Sequence, residues 1–380
     1  MRIAYFTNSL ESCWNHGNAH FLRGVLRALI GLGHAVEAFE PEGAWSLANL
    51  LADHGPAGLD AYRAAYPELA ATRYGTVEPV VERVAGADLV VVHEWNDPAL
   101  VAALGRARAA GARFTLLFHD THHRAVSAPH EMRRFDLSGY DGVLAFGETL
   151  AEVYRGWGWG TRVFVWHEAA DTRLFRPPSE ETGREGRREG RREGLVWIGN
   201  WGDGERTEEL DAFLFGPARE ADLPLDVYGV RYPESALATL AARGARYRGW
   251  APNAAAAEIF ARHRATVHVP RRFYVERLPG IPTIRVFEAL ACGIPLASAP
   301  WSDAEGLFTP GADYLVARDG PEMTRHLRAL RDDVGLRAAL AAHGLATIRA
   351  RHTCRHRADE LLGIVAGLRS PAPRSLEATA

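Results

Sequence analysis

The sequence contains no lysine, because all 44 of its basic residues are arginines. A Walker A phosphate loop, a Schiff base with a keto substrate or pyridoxal phosphate, and a catalytic lysine base all require an amine side chain. The chain therefore supports none of these chemistries. Any phosphate group must instead be recognised by arginine side chains, backbone N–H groups or helix N-termini.

Cysteines and long apolar runs are also scarce. The three cysteines, Cys13, Cys292 and Cys354, are odd in number and far apart, which excludes a disulfide framework and a paired-cysteine zinc site. No apolar run approaches the roughly 18 residues of a membrane span. Residues 1–8 contain one basic residue and a short apolar stretch, which favours a strand over a signal peptide. We therefore expect a cytoplasmic protein with no integral membrane segment.

The length of 380 residues is typical of two domains or one large α/β unit, and 47% of the residues are hydrophobic. The formal net charge is −3, and no basic tract is interleaved with aromatic residues. Nucleic acid is therefore disfavoured as a partner.

Short β-rich runs alternate with longer helical patterns in both halves of the chain, which is typical of βαβ units and parallel sheets. The predicted strands are 2–8, 35–40, 88–93, 113–118, 142–146 and 161–166 in the first half, and 195–198, 225–229, 247–250, 265–269, 295–298 and 314–317 in the second. Residues 44–85 are predicted to be mostly helical. The fold class is α/β, with two Rossmann-like domains whose parallel sheets face a central cleft. In such folds ligands bind at the carboxyl ends of the strands.

The predicted domains are an N-terminal domain over 1–178 and a C-terminal domain over 195–352. Between them, 179–194 is a glycine-punctuated run of alternating arginine and glutamate, which predicts a flexible linker. A last helix over 353–369, with Thr353 as its N-cap, is expected to pack back towards the first domain. Residues 370–380 are expected to form a disordered tail.

Histidines follow predicted strands of the first domain, where an imidazole can take a proton or donate to an oxyanion. His119 and Asp120 come directly after a predicted strand, and His16 precedes the first helix. The neighbouring His122 and His123 are explained equally well as solvated or packed loop residues. Adjacent residues on an irregular loop rarely converge on one ion, so we predict no metal site.

The second domain opens with a strand, a glycine-rich turn and the start of a helix, over 197–207. This arrangement points backbone N–H groups at a phosphate, and Arg206 adds a guanidinium beside Gly199 and Asn200. The glycines lack GxGxxG spacing, so this is no dinucleotide fingerprint. A tight turn with no ligand is the alternative.

The most specific segment is RVFEALACGIP, residues 285–295. With it the chain resembles the GT-B glycosyltransferases, in particular the spore-maturation CgeB-like group related to the large retaining family with an EAxAxGxP segment. Further similar segments, in the family's order, are HGNAHFLRGVLRALIGLGH, EAADTRLFRP, LFTPGADYLVARD and RHTCRHRADELL.

The resemblance implies a sugar nucleotide held mainly by the second domain, with the acceptor on the first. Glu288 would accept both ribose hydroxyls, while the helix starting near Thr283 and the turn at Gly199 would face the diphosphate. An arginine and a lysine usually flank the diphosphate in the family. In this chain Arg206 must act together with one of three other arginines, namely Arg271, Arg272 or Arg285.

Two points remain open at this stage. The family's paired glutamates have seven residues between them, and the partner of Glu288 falls on Gly280, which leaves the contact to the transferred sugar unassigned. Without the resemblance, Glu288 reads equally well as a helical glutamate that faces water.

The function implied is a metal-independent glycosyltransferase, leaning towards retention, with a nucleoside-diphosphate sugar as co-substrate and no other cofactor. The acceptor is an unknown glycan, lipid-linked molecule or small molecule. We hypothesise that His119 or Asp120 lines the donor sugar and that His16 lies close by. The alternatives are a sugar-nucleotide epimerase on the same scaffold and a non-catalytic nucleotide-sugar-binding protein.

Overall fold

The computed structural model describes residues 1–178, 192–202 and 204–370. Most of the predicted linker (179–191), Asp203 and nearly all of the predicted tail (371–380) lie outside the described residues. The rest of the chain forms two α/β halves, each built on one parallel sheet. The predicted fold class, two Rossmann-like domains whose sheets face a cleft, is confirmed.

The first half contains a seven-stranded sheet in the order β3-β2-β1-β4-β5-β6-β7, with every neighbouring pair parallel. Its strands are β1 (Arg2–Phe6), β2 (Ala35–Pro41), β3 (Ala71–Tyr74), β4 (Leu89–His93), β5 (Thr115–Asp120), β6 (Gly142–Ala145) and β7 (Val163–Val165). The connecting helices are α1 (Ala19–Gly31), α2 (Trp45–His54), α3 (Asp60–Ala65), α4 (Val77–Val84), α5 (Pro98–Ala109), α6 (Arg124–Ser127), α7 (Pro129–Met132) and α8 (Glu148–Tyr154). Strand β4 is buried along its whole length, as its continuous apolar sequence predicts for a central parallel strand.

The second half contains a six-stranded parallel sheet in the order β10-β9-β8-β11-β12-β13. Its strands are β8 (Leu195–Ile198), β9 (Leu225–Tyr228), β10 (Arg246–Gly249), β11 (Ala265–His268), β12 (Leu296–Ser298) and β13 (Leu315–Val316). The helices are α9 (Thr207–Leu210), α10 (Gly216–Glu220), α11 (Glu234–Ala242), α12 (Ala256–Ala261), α13 (Arg272–Glu276), α14 (Ile284–Ala291), α15 (Gly320–Asp332) and α16 (Val334–Arg351).

The last helix, α17 (Cys354–Arg369), lies against the first half. It begins with a capping box in which the Thr353 hydroxyl accepts a hydrogen bond from the backbone of His356. The Trp166 indole donates to the carbonyl of Arg357 over 2.9 Å. Near the end of the helix, Arg369 donates to the Thr115 hydroxyl. The chain thus crosses back to the first sheet after completing the second.

Two elements differ from the sequence prediction. The stretch 44–85 is mostly helical, as predicted, but it also contains a strand that was not predicted, because Ala71–Tyr74 pairs with β2 as the edge strand β3. Four residues at a sheet edge carry too short an apolar pattern to predict a strand, and their partner lies about 30 positions earlier in the chain. Strand β5 also continues two residues past its predicted end, since His119 and Asp120 pair with Leu144 and Ala145 of β6.

Across the part of the chain that the structure describes, no helix combines the length and the apolar character that crossing a lipid bilayer demands.

Candidate functional site

A cavity of about 240 Å³ lies between the two sheets, at the carboxyl ends of their strands. The first half contributes the loops after β1, β5, β6 and β7, and the second half contributes the loops after β8, β9, β10 and β11 together with the start of α14. Residues on its wall include His16, Thr121, His122, Glu168, Gly199, Asn200, Arg206, Trp250, Asn253, Arg271, Thr283 and Arg285. The cavity therefore occupies the position in which doubly wound folds bind their ligands.

Six polar side-chain atoms of residues that line this cavity are buried and have no hydrogen-bond partner in the protein. They are His16 Nε2, His122 Nδ1, Glu168 Oε1, Arg206 Nε, Trp250 Nε1 and Asn253 Oδ1. Leaving a buried polar group unpaired costs about 1–3 kcal/mol, and most such groups in native proteins are paired. Their concentration around one cavity indicates a site built for a polar ligand with both donors and acceptors.

Three arginines lie on the wall of the cavity. Arg206, Arg271 and Arg285 line it, whereas Arg272 does not. Arg272 instead pairs with Glu208 and Glu209 on α9. Of the arginines that the sequence left open as partners of Arg206, two are therefore on the wall and one is outside.

Arg206 is held by the glycine-rich turn and by β11. Its guanidinium donates to the carbonyl and side-chain oxygens of Asn200, both over 2.9 Å, and to the carbonyl of Val269 over 3.1 Å. The guanidinium also lies 4.9 Å from the centroid of the Trp197 ring. Burial, and then the charge of Arg271, lowers the pKa of Arg206 to about 9. An anionic ligand beside Arg206 would favour the charged guanidinium and so oppose this decrease in its pKa.

The other two cavity arginines are already paired with carboxylates. Arg271 contacts Glu205 and donates to the Asn200 side chain over 3.2 Å. Arg285 contacts Glu288 one turn further along α14. Asn200 also bonds across the cleft, where its Nδ2 donates to Asn15 Oδ1 over 2.7 Å. The glycine-rich turn therefore connects the arginines with the first half.

The N-terminus of α14 opens onto the cavity at Thr283, Ile284 and Arg285. Thr283 has the extended backbone of an N-cap, but its hydroxyl bonds to His268 Nε2 over 3.1 Å and not to the helix. In the first turn the Val286 N–H donates to the Thr283 carbonyl over 3.0 Å, and the Ile284 N–H donates to the Glu168 carboxylate. The positive end of the helix dipole therefore lies at the cavity wall.

Glu288 lies at the interface between the two halves and is fully buried, so it does not face water. Its Oε1 accepts from His20 Nδ1 over 2.9 Å, and its Oε2 contacts Arg285. It is not among the residues that line the cavity. Two residues of the cavity wall contact it, namely Arg285 and Asn253, whose Nδ2 lies 3.5 Å from Glu288 Oε1.

His119 and Asp120 do not line the cavity, so the expectation that they reach the donor sugar directly needs correction. Both are fully buried because β5 extends through them, and the loop begins at Thr121. His119 bonds to the hydroxyl of Tyr5, and Asp120 accepts from Tyr154 over 2.8 Å. From this region Thr121 and His122 reach the wall instead.

His16 lines the cavity as predicted by its position before α1. Burial, and then the charge of Arg23, lowers the pKa of His16 to about 4. Its imidazole is therefore neutral at neutral pH and able to accept or donate one hydrogen bond.

The sequence interpretation missed Glu168, Trp250 and Asn253 as wall residues. Glu168 is the first residue of the segment EAADTRLFRP and follows the end of β7 by three residues, so its position matches the rule that selected the other candidates. Burial, and then the charge of Glu288, raises the pKa of Glu168 well above its usual range, and Arg285 opposes this. Trp250 and Asn253 follow β10, whose end carried no polar motif.

Gly280, which replaces the family's first glutamate, has φ of +95°, a conformation that strains any residue with a side chain. A Cβ at this position would also approach Ala304 to 3.1 Å. The backbone here does not suit a glutamate, and Gly280 is not on the cavity wall.

Within 1–178, 192–202 and 204–370, no group of three or more His, Cys, Asp or Glu side chains is arranged to hold a metal ion.

Residues 206–363 match a family model described as glycosyl transferase-like. The structure is similar to that of HepE from Anabaena in complex with UDP-glucose, with a TM-score of 0.68 and 12% identity over 97% of this chain and 100% of that one. Sucrose-phosphate synthase from Thermosynechococcus elongatus has a TM-score of 0.64 and 15% identity over 97% of this chain and 99% of that one. For BGT from phage T4 in complex with its UDP-glucose substrate, the TM-score is 0.57, with 11% identity over 96% of this chain and 99% of that one. The search of curated proteins found no match to the sequence.

Proposed function

We propose that this chain, which has the GT-B glycosyltransferase fold and a glycosyl transferase-like second half, moves a sugar from a nucleoside diphosphate to an acceptor hydroxyl or amine. The observation that carries the proposal is the cavity between the sheets, where unpaired buried polar atoms surround a group of arginines. A nucleotide sugar offers the required mixture of phosphate oxygens, hydroxyl groups and a planar base.

The diphosphate binds at Arg206, Arg271, Arg285 and the start of α14. Cleavage of the anomeric bond leaves an additional negative charge on the diphosphate, which these groups stabilise. Each charge-assisted hydrogen bond contributes about 1.5–3 kcal/mol, and preorganised donors in a closed cleft act without reorganisation. The three arginines supply the positive charge that a metal ion supplies elsewhere, so we propose a metal-independent reaction.

The ribose lies at the end of the site marked by Glu288, one turn into α14 from Thr283. The turn at Gly199 and Asn200 lies beside the diphosphate. Uracil is our first choice of base, because HepE and the phage T4 protein both bind UDP-glucose.

His16, on the wall of the first half, is the proposed contact to the sugar or acceptor. If the reaction retains configuration, as the family resemblance favours, the leaving phosphate takes the acceptor proton. If the reaction inverts configuration, His16 is the proposed base, because it lines the cavity whereas His119 and Asp120 do not.

Membership of the CgeB-like group and the nature of the acceptor, a glycan, lipid-linked molecule or small molecule, rest on the resemblance alone and remain predictions. The cytoplasmic location rests on the apolar pattern of the sequence and also remains a prediction.

The test is thermal unfolding of the full chain with UDP-, GDP-, TDP- and CDP-sugars. A donor at 100 times its dissociation constant adds about 2.7 kcal/mol to the free energy of unfolding. The donor that stabilises is then incubated alone and with acceptor pools. Sugar transfer or slow donor hydrolysis supports the proposal. An isomerised donor would indicate an epimerase, and binding without any turnover would indicate a sensor. Absence of stabilisation by every donor contradicts the proposal.

A further inference from the structure

Asn253 occupies a distinctive place in the cavity wall. It is the first residue of a short 3₁₀ helix, Asn253–Ala255, that follows β10; its side chain is buried, and its backbone N–H donates to Cys13 Sγ of the first half over 3.3 Å. Contacts from both halves of the chain therefore fix its position.

The environment of Asn253 determines which end of its amide faces the ligand. A carboxylate only accepts hydrogen bonds, and Asn253 Nδ2 lies 3.5 Å from Glu288 Oε1. With the NH₂ group turned towards Glu288, the carbonyl Oδ1 is the atom left over. It is buried and has no partner in the protein. Because it is an acceptor, it requires a ligand group that carries a hydrogen, and a phosphate oxygen does not provide one.

The distance between the proposed diphosphate position and Glu288, the neighbour of Asn253, indicates which ligand group this is. Glu288 is four residues beyond Ile284, the first residue of α14, which places it about 6 Å along the helix from the anion-binding end. This is comparable to the separation between the 5′-phosphate and the pentose hydroxyls of a nucleotide. The pentose hydroxyls of a nucleotide bound in this way, which can donate hydrogen bonds, would therefore lie near the unpaired acceptor Asn253 Oδ1.

The adjoining wall favours one of the two pentose hydroxyls. Trp250, in the same loop as Asn253, packs with Val230 against an apolar cluster that includes Trp14 and Leu47. An apolar wall beside the unpaired indole N–H of Trp250 suits a base, which places the base on this side of Asn253. The 2′-hydroxyl is the one next to the base.

Resting on the proposed function, we propose that Asn253 accepts a hydrogen bond from the 2′-hydroxyl of the donor pentose, so that the protein selects ribonucleoside diphosphates over their 2′-deoxy counterparts. Glu288 acts here as a positioning residue that turns the amide. The substrate class is narrowed accordingly, since donors built on deoxythymidine diphosphate lack the selected hydroxyl.

The experiment compares two pairs of probes, UDP with 2′-deoxyUDP and GDP with 2′-deoxyGDP, by titration calorimetry. For the wild-type protein we expect the ribonucleotide of the better pair to bind about ten-fold more tightly, since removal of the hydroxyl leaves Asn253 Oδ1 buried and unpaired. In Asn253→Ala we expect this ratio to fall to about two-fold, mainly through weaker ribonucleotide binding.

Asn200→Ala is the matched control, because it removes an amide at the diphosphate end of the same cavity. It should weaken both members of a pair equally and preserve their ratio. Thermal unfolding of each ligand-free variant verifies that it is folded. Equal affinities in the wild-type protein, or an unchanged ratio in Asn253→Ala, would overturn this inference while leaving the proposed function standing. Absence of binding by all four nucleotides would overturn the proposed function itself.

Discussion

His20 in the first half and Glu288 in the second form a fully buried pair, with His20 Nδ1 and Glu288 Oε1 2.9 Å apart. The other ring nitrogen, Nε2, accepts a hydrogen bond from the backbone N–H of Asp171 over 2.8 Å. Since Nε2 accepts, Nδ1 carries the proton and donates to the carboxylate. The ring also stacks on Phe175 with centroids 3.7 Å apart. A single imidazole thus joins α1, the segment 168–177 that follows β7, and the helix that bears the proposed donor site.

The first prediction concerns this pair. His20→Ala leaves the Glu288 carboxylate and the Asp171 N–H buried with one partner fewer each, so the free energy of unfolding should fall by about 2–4 kcal/mol. Urea denaturation measures this change. His130→Ala, at an exposed position, is the control and should stay within about 0.5 kcal/mol of wild type. A His20→Ala protein as stable as this control would show that the pair contributes nothing to the interface.

The second prediction concerns Arg206. Arg206→Ala removes two hydrogen bonds that orient Asn200 and one of the charges on the proposed diphosphate site. Turnover of the donor identified by thermal unfolding should fall by roughly 10- to 150-fold, the equivalent of one charge-assisted contact. Arg206→Lys should recover only part of the loss, because an ammonium cannot reproduce the forked geometry of a guanidinium. Unchanged kinetics in Arg206→Ala would remove this residue from the site.

Much of the architecture is predictable because parallel strands have a strong local signature. Leu89–His93 is a continuous apolar run between polar segments, which fits a strand buried on both faces. Thr353 precedes a helical pattern and is observed as a cap. The edge strand Ala71–Tyr74 carries no such signature, because its formation depends on pairing with a distant strand.

The candidate site is less accessible to sequence reasoning, because burial decides which polar residues are functional. His119 and Asp120 have the chemistry of a site, but two additional residues of strand place them in the interior. Glu168 and Asn253 look like ordinary surface residues in the sequence, and only the three-dimensional structure shows their unpaired oxygens on a cavity wall. Glu288 was selected by its motif, yet its contacts with His20 and Asn253 join positions more than 30 residues apart.

The third prediction separates two adjacent arginines. Arg271 lies on the cavity wall beside Asn200, whereas Arg272 points to Glu208 and Glu209 on the outside. Arg271→Ala should weaken binding of UDP or of the nucleotide selected by the panel by about ten-fold, and Arg272→Ala should leave it within two-fold. Titration calorimetry at two salt concentrations tests this. Equal effects of the two substitutions would argue against a diphosphate at Arg271.

The fourth prediction concerns pH and His268, which supports the start of α14. The Ser298 hydroxyl donates to the carbonyl of Ala299 and so accepts from His268 Nδ1, which leaves Nε2 to accept from the Thr283 hydroxyl. Burial, and then the charge of Arg206, lowers the pKa of His268 to about 3. Between pH 6.5 and about 3 the unfolded chain therefore binds a proton that the folded chain does not, so this group lowers stability as the pH falls, by up to about 1.4 kcal/mol per pH unit.

His268→Gln cannot be protonated and should flatten the decline between pH 6.5 and 5 in urea denaturation series, whereas the exposed control His130→Gln should follow the wild-type profile. A His268→Gln profile as steep as that of wild type would mean that other buried histidines, and not the one that holds Thr283, set the acid sensitivity of the fold.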